Sequence, residues 1–501
     1  MKKLFVILSF AGFISIAVSS CNKKLTIEPI SSITAASFWK NENDAQAGLT
    51  AMYVGLRSQA GLSGSFQYNN YFLGEARSEI MTYGTAGSTG FDIYYQNSLT
   101  ANNAGPSWVG YYSIINAANL VLKYVPDITF QSGAVKNNLL AQAYTMRAYV
   151  YFIMVRTWGD LIIRTEPMES FNPEEVQKER SPKEEVFKLI KADLEKALQL
   201  FPDNSFPAGR FRWSKPASNS LKAEVYLWTG KLLNGGSQDF TTALTALNDV
   251  QTASSLSLLP NFADVFDYNK KGNNEIIMSI RLADGEGVQG YTGLMYGFIV
   301  PACTPQATKD LLGITTGTNS NHAWQLSPAA RNAFTNDDLR KAATYVDLYT
   351  YNSSCAQTGY LATITLKFRG TVIGGVRWFY DDIILYRYAD ILLLKAEAKN
   401  ALGQDPTPEM NMVRQRAYGS NFSAHSFVNG TKNQNDDAIL KERLLELMVE
   451  GKRWWDLVRF GKAFQLVPSL QSRAGQDYLL LFPISNAVLA VETKVKQNPG
   501  Y

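Results

Sequence analysis

The feature that most limits what this 501-residue chain can fold into is a succession of segments with apolar residues at 3.6-residue spacing, many of them about 15–20 residues long. Asn43 to Leu56 is one, entered through Asn41 or Asn43 as a cap. Ser107 to Tyr124 is another, stopped by Pro126, and Lys136 to Trp158 ends at Gly159-Asp160. Ser181-Pro182-Lys183-Glu184 is a start signal: Ser caps, Pro takes the first turn and Glu reaches back. That helix is expected to run to Leu200. Pro216 to Leu233 follows, closed by Asn234-Gly235-Gly236, with a shorter segment at Thr242 to Thr252. Asp382 to Leu402, a helix opened by Thr407-Pro408-Glu409, and Asp436 to Phe460 complete the set.

Several segments form pairs joined by short links. The fold class predicted is mainly α, with tetratricopeptide-like helical hairpins building a solenoid scaffold, although no strict repeat period is visible. Two stretches depart from that texture. Residues 255–380 hold strand-like runs, Glu275 to Leu282 and Tyr360 to Arg369, amid Gly, Thr, Asn and Ser. Residues 61–106 interleave Gly61, Gly64, Gly84, Gly87 and Gly90 with Tyr and Phe. Long irregular loops on a helical scaffold are where function concentrates.

The N-terminus reads as a secretory signal. Lys2 and Lys3 precede an apolar run from Leu4 to Val18, and Val18-Ser19-Ser20-Cys21 ends it. The small residues before Cys21 resemble a bacterial lipobox, in which the cysteine is acylated and the chain is cut just before it. Residues 1–20 are then the signal peptide, and 481 residues follow. The formal charge of +4 falls to +2, which gives no electrostatic case for nucleic acid. No later run is long enough to span a bilayer, since Arg387 and Asp390 interrupt Ile383 to Leu394. Neither the 2 His nor the 3 Cys have zinc-ligand spacing, and no cofactor or metal is expected. An oxidising compartment permits Cys303 and Cys355 to pair.

Several motifs then stand in order. Arg147-Ala148-Tyr149 runs through Arg156-Thr157-Trp158-Gly159-Asp160. Asp382 to Asp390 continues into Leu392-Leu393-Leu394-Lys395-Ala396-Glu397-Ala398. Asn411 to Ala417, Glu442 to Leu447, Glu450-Gly451-Lys452-Arg453, Trp455 to Arg459 and Gly461-Lys462 follow. Phe482-Pro483-Ile484 and Gln497-Asn498-Pro499-Gly500-Tyr501 close the chain. Together they resemble the SusD/RagB family. The resemblance implies an outer-membrane lipoprotein anchored through Cys21 and facing the cell exterior. It implies a SusC-like TonB-dependent transporter as partner, and an oligosaccharide, or in some members a peptide, as ligand. It implies one domain over 21–501, with an N-terminal helical part (21–254), a loop-rich ligand region (255–380) and a C-terminal helical part (381–501). Asn22-Lys23-Lys24 follow the cysteine where many members carry acidic residues.

The matched motifs read as structural. Glu450, Arg453 and Asp456 stand at i, i+3 and i+6, so Arg453 is expected to pair with either acid along one helix. Arg387, Asp390 and Lys395 have the same character. Gly285 to Gly290 fits G-x-G-x-x-G, but Gly293, Gly297 and Pro301 interrupt the helix a dinucleotide site needs. Ser37-Phe38-Trp39-Lys40 fits S-x-x-K without the companion motifs of penicillin-binding enzymes. No carboxylate pair is singled out as a glycosidase would require, so a surface hydrolase stands behind a binding protein.

The positive signal is aromatic, with 26 Tyr, 26 Phe and 9 Trp, many in the Gly-rich loops. Tyr83, Phe91, Tyr94 and Tyr95 share one loop with Asn97, Asn102 and Asn103. Tyr291, Tyr296 and Trp324 lie in another. Flat rings cover the apolar C–H face of a sugar while Asn, Asp and Arg bond its hydroxyl rim. The resemblance implies ligand contacts from these two regions. Tyr83, Phe91, Tyr94, Tyr95, Asn97, Tyr291, Tyr296 and Trp324 are therefore the expected ligand-binding residues.

Overall fold

The helical spacing is realised in a scaffold of helices packed on one another. The computed structural model describes residues 38–57, 66–87, 89–170, 176–253, 255–285, 290–296, 300–313 and 322–501. The signal segment, Cys21, Gly61, Gly64, Ser37 of the S-x-x-K run and the centre of the G-x-G-x-x-G run lie outside the described residues.

The first helices are α1 (Glu42–Arg57), α2 (Phe66–Gly74), α3 (Val109–Tyr124) and α4 (Gly133–Trp158). After them come α5 (Lys183–Leu200), α6 (Lys215–Leu232) and α7 (Gly236–Gln251), the last longer than its apolar spacing predicts. Neighbours in sequence pack as neighbours in space: α3 on α4, α4 on α5, and α6 on α7. This is the tetratricopeptide-like arrangement of hairpins. From Thr145 to Trp158 α4 is buried on every side, which places it at the centre of its layer. Ser214 Oγ accepts the Ala217 N–H at 3.4 Å to start α6. Ser181 does not cap α5 as expected. Its backbone is occupied by Leu161, and Asp160 Oδ1 instead accepts the Lys183 N–H at 2.9 Å.

The C-terminal part is built from α8 (Tyr388–Ala401), α9 (Thr407–Tyr418), α10 (Lys432–Leu447) and α11 (Arg453–Arg459). Helix α8 packs on α7, α9 and α10 and so joins the two helical parts. Two expected helices are divided. Ile383–Arg387 is a strand, all five residues buried, pairing antiparallel with Ile276–Ile280. An apolar run buried on both faces has no period that separates strand from helix. Asp436 to Phe460 breaks between Leu447 and Arg453, where Val449 and Gly451 take φ of 65° and 73°. The buried Glu75 carboxylate fills that break, accepting N–H groups of Val449 and Lys452 at 2.9 Å each and Arg453 at 3.4 Å.

Because of that break the expected ion pairs along one helix do not form. Arg453 pairs with Glu79, Glu450 with Lys367 and Arg387, and Asp456 with Arg443 and Arg459. The motif arginines instead cross-link elements. Arg147 holds Asp193 through two bonds of 2.8 and 2.7 Å, tying α4 to α5, and Arg156 holds Glu224 at 2.7 Å, tying α4 to α6. Arg387 is fully buried and meets Glu275 at 2.8 Å, Glu446 at 2.6 Å and Glu450 at 2.7 Å. Buried charges persist only when their hydrogen bonds are satisfied like this.

The strands form short antiparallel pairs: β1 (Met81–Tyr83) with β3 (Trp324–Leu326), β2 (Ile276–Ile280) with β8 (Ile383–Arg387), β4 (Tyr345–Tyr351) with β5 (Gln357–Thr365), and β6 (Thr371–Ile373) with β7 (Val376–Trp378). Cys303 and Cys355 are joined by a disulfide, Cα to Cα 5.3 Å, which pins the loop before the short helix Gln306–Leu312 to the turn between β4 and β5. Residues 41–501 form one compact unit.

Candidate functional site

The two aromatic loops meet. Strand β1 from the first pairs with β3 from the second, placing Met81 opposite Leu326, Thr82 opposite Gln325 and Tyr83 opposite Trp324. Beneath them α2 contributes Tyr71 and Phe72. Tyr71 stacks on Tyr291, centroids 4.5 Å apart and planes 9° apart. Phe72 contacts Phe91, Tyr94 and Trp324 at 5.6, 4.7 and 5.2 Å. His322 fastens the loops from below: Nδ1 accepts the Thr85 N–H at 3.0 Å and Nε2 lies 3.2 Å from the Thr363 carbonyl, the arrangement of a neutral ring protonated at Nε2. Burial holds its pKa below the ordinary value.

The expected site residues divide sharply by exposure. Trp324, Tyr296, Tyr291, Tyr94 and Asn97 are buried. Tyr296 donates its hydroxyl to the Leu312 carbonyl at 2.7 Å and lies under the Arg377 guanidinium. Asn97 bonds Arg77 through both ends of its amide and donates to Ser469 Oγ at 2.9 Å. These five side chains form the floor that holds the loops, and they offer no open face in this structure. Phe91 is half-buried against the same floor.

Tyr83 and Tyr95 reach the surface. Tyr83 is 37% exposed and meets Tyr95 edge to face at 5.1 Å. The Gln96 amide donates to the Tyr83 hydroxyl. Gln325 donates to the Tyr83 carbonyl at 2.9 Å, and its Oε1 accepts the Thr363 N–H at 2.8 Å and the Tyr360 hydroxyl at 2.9 Å. Tyr360, 42% exposed, carries the Arg331 guanidinium 4.3 Å over its ring. Asp347 pairs with Arg331 at 3.4 Å and accepts the Thr363 hydroxyl at 2.6 Å. The result is a row of tyrosine rings bordered by amides, an aspartate and an arginine.

Sequence reasoning missed Gln96, Gln325, Tyr360, Arg331 and Asp347. The available signal was the run of tyrosines across β4 and β5, where Tyr349 and Tyr360 are register partners. Chemically the surface suits stacking and hydrogen bonding. Among the described residues no cluster of His, Cys, Asp and Glu is arranged to hold a metal ion.

Comparisons with known proteins agree on the family. The model described as "SusD family" matches residues 312–501, and one described as "Starch-binding associating with outer membrane" matches residues 34–227. SusD-like protein P38 of Formosa agariphila is 29% identical, with the whole length of both chains covered. The structure of NanU from B. fragilis is similar at 35% identity and a TM-score of 0.81, covering 95% of this chain and 100% of that one. A SusD superfamily protein from Bacteroides vulgatus is 32% identical with a TM-score of 0.78, covering 92% and 100%.

Proposed function

This chain belongs to the SusD family, and from that premise we propose that it is a surface glycan-binding lipoprotein that delivers oligosaccharide to a SusC-like TonB-dependent outer-membrane transporter. The observation that carries the glycan reading is the exposed row of Tyr83, Tyr95 and Tyr360 with Gln96, Gln325, Arg331 and Asp347 along its edge. Each ring matches the C–H face of a sugar, and each edge group matches a hydroxyl. The buried Trp324, Tyr291, Tyr94 and Phe72 support that row from beneath, so little conformational freedom is lost when ligand binds. A solved laminarin-binding SusD-like protein shares the fold. Family membership supports a TonB-dependent partner and an anchor at Cys21 as parts of this reading. The family description places such proteins with the outer membrane, and among the described residues no helix is long and apolar enough to cross a membrane. The protein binds without turnover.

The test is calorimetry of the mature protein against neutral glycans and against peptides. Expected is glycan binding with weak salt dependence, no release of reducing ends, and loss of affinity in a folded Tyr83→Ala, Tyr95→Ala, Tyr360→Ala variant. Full-strength glycan binding by that variant, or binding of peptides alone, refutes the reading.

A further inference from the structure

The geometry points to a second ligand site, a cationic cavity that takes a saccharide bearing a carboxylate or sulfate group. It lies between the last turns of α1, the segment just before α6 and the end of β2, with a volume of about 400 Å3. None of its wall residues belongs to the tyrosine surface, so it stands apart from the neutral-glycan reading. Arg57, Arg212 and Arg281 share this one space with the rings of Tyr53 and Phe211, and no carboxylate is among the described wall residues.

The groups are held in place from behind. The Tyr53 hydroxyl donates to Gln142 Oε1 at 2.7 Å and accepts the Trp213 N–H at 2.9 Å, which fixes its ring. The Arg212 guanidinium lies 5.7 Å from that ring's centroid and makes no hydrogen bond or ion pair among the described residues. Arg281 donates Nε to Asp382 Oδ2 at 2.8 Å and one Nη to the Gly209 carbonyl at 2.9 Å, with its guanidinium 4.8 Å from the centroid of Phe211. Asp382 thus balances Arg281, while Arg212 has no counter-ion among the described residues.

A half-buried guanidinium lying against an aromatic face, without an anion, is poised for one. Its planar fork of donors matches a carboxylate or sulfate through two parallel bonds, and a partly desolvated cavity strengthens them. Charge alone would suit any small anion. The rings of Tyr53 and Phe211, with Leu56 and Ile280 beside them, add apolar surface for the C–H face of a sugar. The tyrosine surface differs in kind, because its one arginine, Arg331, is already paired with Asp347.

The experiment is calorimetry of the mature protein with trigalacturonate, glucuronate, galactose 6-sulfate and neutral galactotriose, at low and high salt. Expected is binding of at least one anionic sugar, weakened tenfold or more in Arg212→Gln and by added salt. The uronates and the sulfated sugar separate the two sources of negative charge. Arg57→Gln serves as the second variant should Arg212→Gln fail to fold, as judged by its circular dichroism. Failure of every anionic sugar to bind, or equal affinity in the folded variant, overturns the site. Neither result bears on the Tyr83 surface, which galactotriose and other neutral sugars report separately.

Discussion

Tyr83 lies directly opposite Trp324 in the register of the β1–β3 pair, yet Tyr83 reaches solvent and Trp324 is wholly buried. One pair of residues therefore combines the two tasks of the aromatic loops. Trp324 packs on Tyr71, Phe72 and Phe91 and closes the floor. Tyr83, at the end of the strand, is left to meet Tyr95 and whatever arrives from outside.

The two rings should respond differently to truncation. Trp324→Ala empties a packed core position and is expected to cost about 3–5 kcal/mol of stability. Tyr83→Ala is expected to leave the melting temperature nearly unchanged while weakening glycan binding by about 0.5–1.5 kcal/mol beyond the lost contact area. Thermal denaturation and calorimetry on both variants check this. A stable Trp324→Ala protein with lost binding would assign Trp324 to the ligand instead.

The sequence made most of the helices legible because they bury one face, and 3.6-residue spacing records that directly. It made the family legible through arginine and acid motifs whose purpose is to cross-link helices, as Arg147 with Asp193 and Arg156 with Glu224 show. Partners far apart in sequence left no local trace. Glu75 dividing α10 from α11, and Asp160 capping α5, are of that kind. The site was half legible for the same reason. Composition located the aromatic loops, but whether a ring is floor or surface depends on what packs above it. Tyr291 and Tyr360 are equally suggestive in sequence, and only the first is covered by Tyr71.

Arg387 tests the buried charge network. With Glu275, Glu446 and Glu450 around it, Arg387→Ala removes the cation that these buried carboxylates share, leaving them only Lys367, Arg416 and Arg340, and should cost about 3–5 kcal/mol. Arg387→Lys should recover only part of this, because an ammonium cannot reproduce the guanidinium fork. Chemical denaturation of both variants gives the comparison. Wild-type stability in either one would show the network to be dispensable.

The Cys303–Cys355 bridge closes a separation of 52 residues. A loop of that size stabilises by roughly 4 kcal/mol in the chain-entropy model. Cys303→Ser with Cys355→Ser should lower the melting midpoint, and reductant should lower that of the wild type but not of the variant. Thiol titration of the unreduced, denatured mature protein should find neither of these two thiols free.

Cys21→Ala probes the proposed anchor. With acylation lost and no described helix able to span a bilayer, the variant should leave the membrane fraction of cells that lack the transporter. Retention of the variant at the wild-type level would rule out a lipid anchor at that residue.

His322 should give the candidate surface a dependence on acid. In the folded chain its Nδ1 accepts the Thr85 N–H, and protonation would set a second donor against that first one. Burial lowers its pKa from the ordinary 6.5, with the bond to the Thr363 carbonyl opposing that shift. A histidine with a lowered folded pKa takes up its proton less readily folded than unfolded. Its stabilising contribution is then complete above about pH 6.5 and is lost as pH falls through the lowered value. Because His322 joins the β1 loop to β5, acid should loosen the row that holds Tyr83 and Tyr360. Glycan affinity and melting temperature measured from pH 7.5 to 4.5 should fall together, and His322→Gln should flatten both profiles relative to the wild type. An unchanged acid limb in that variant would assign the loss to carboxylates elsewhere in the fold.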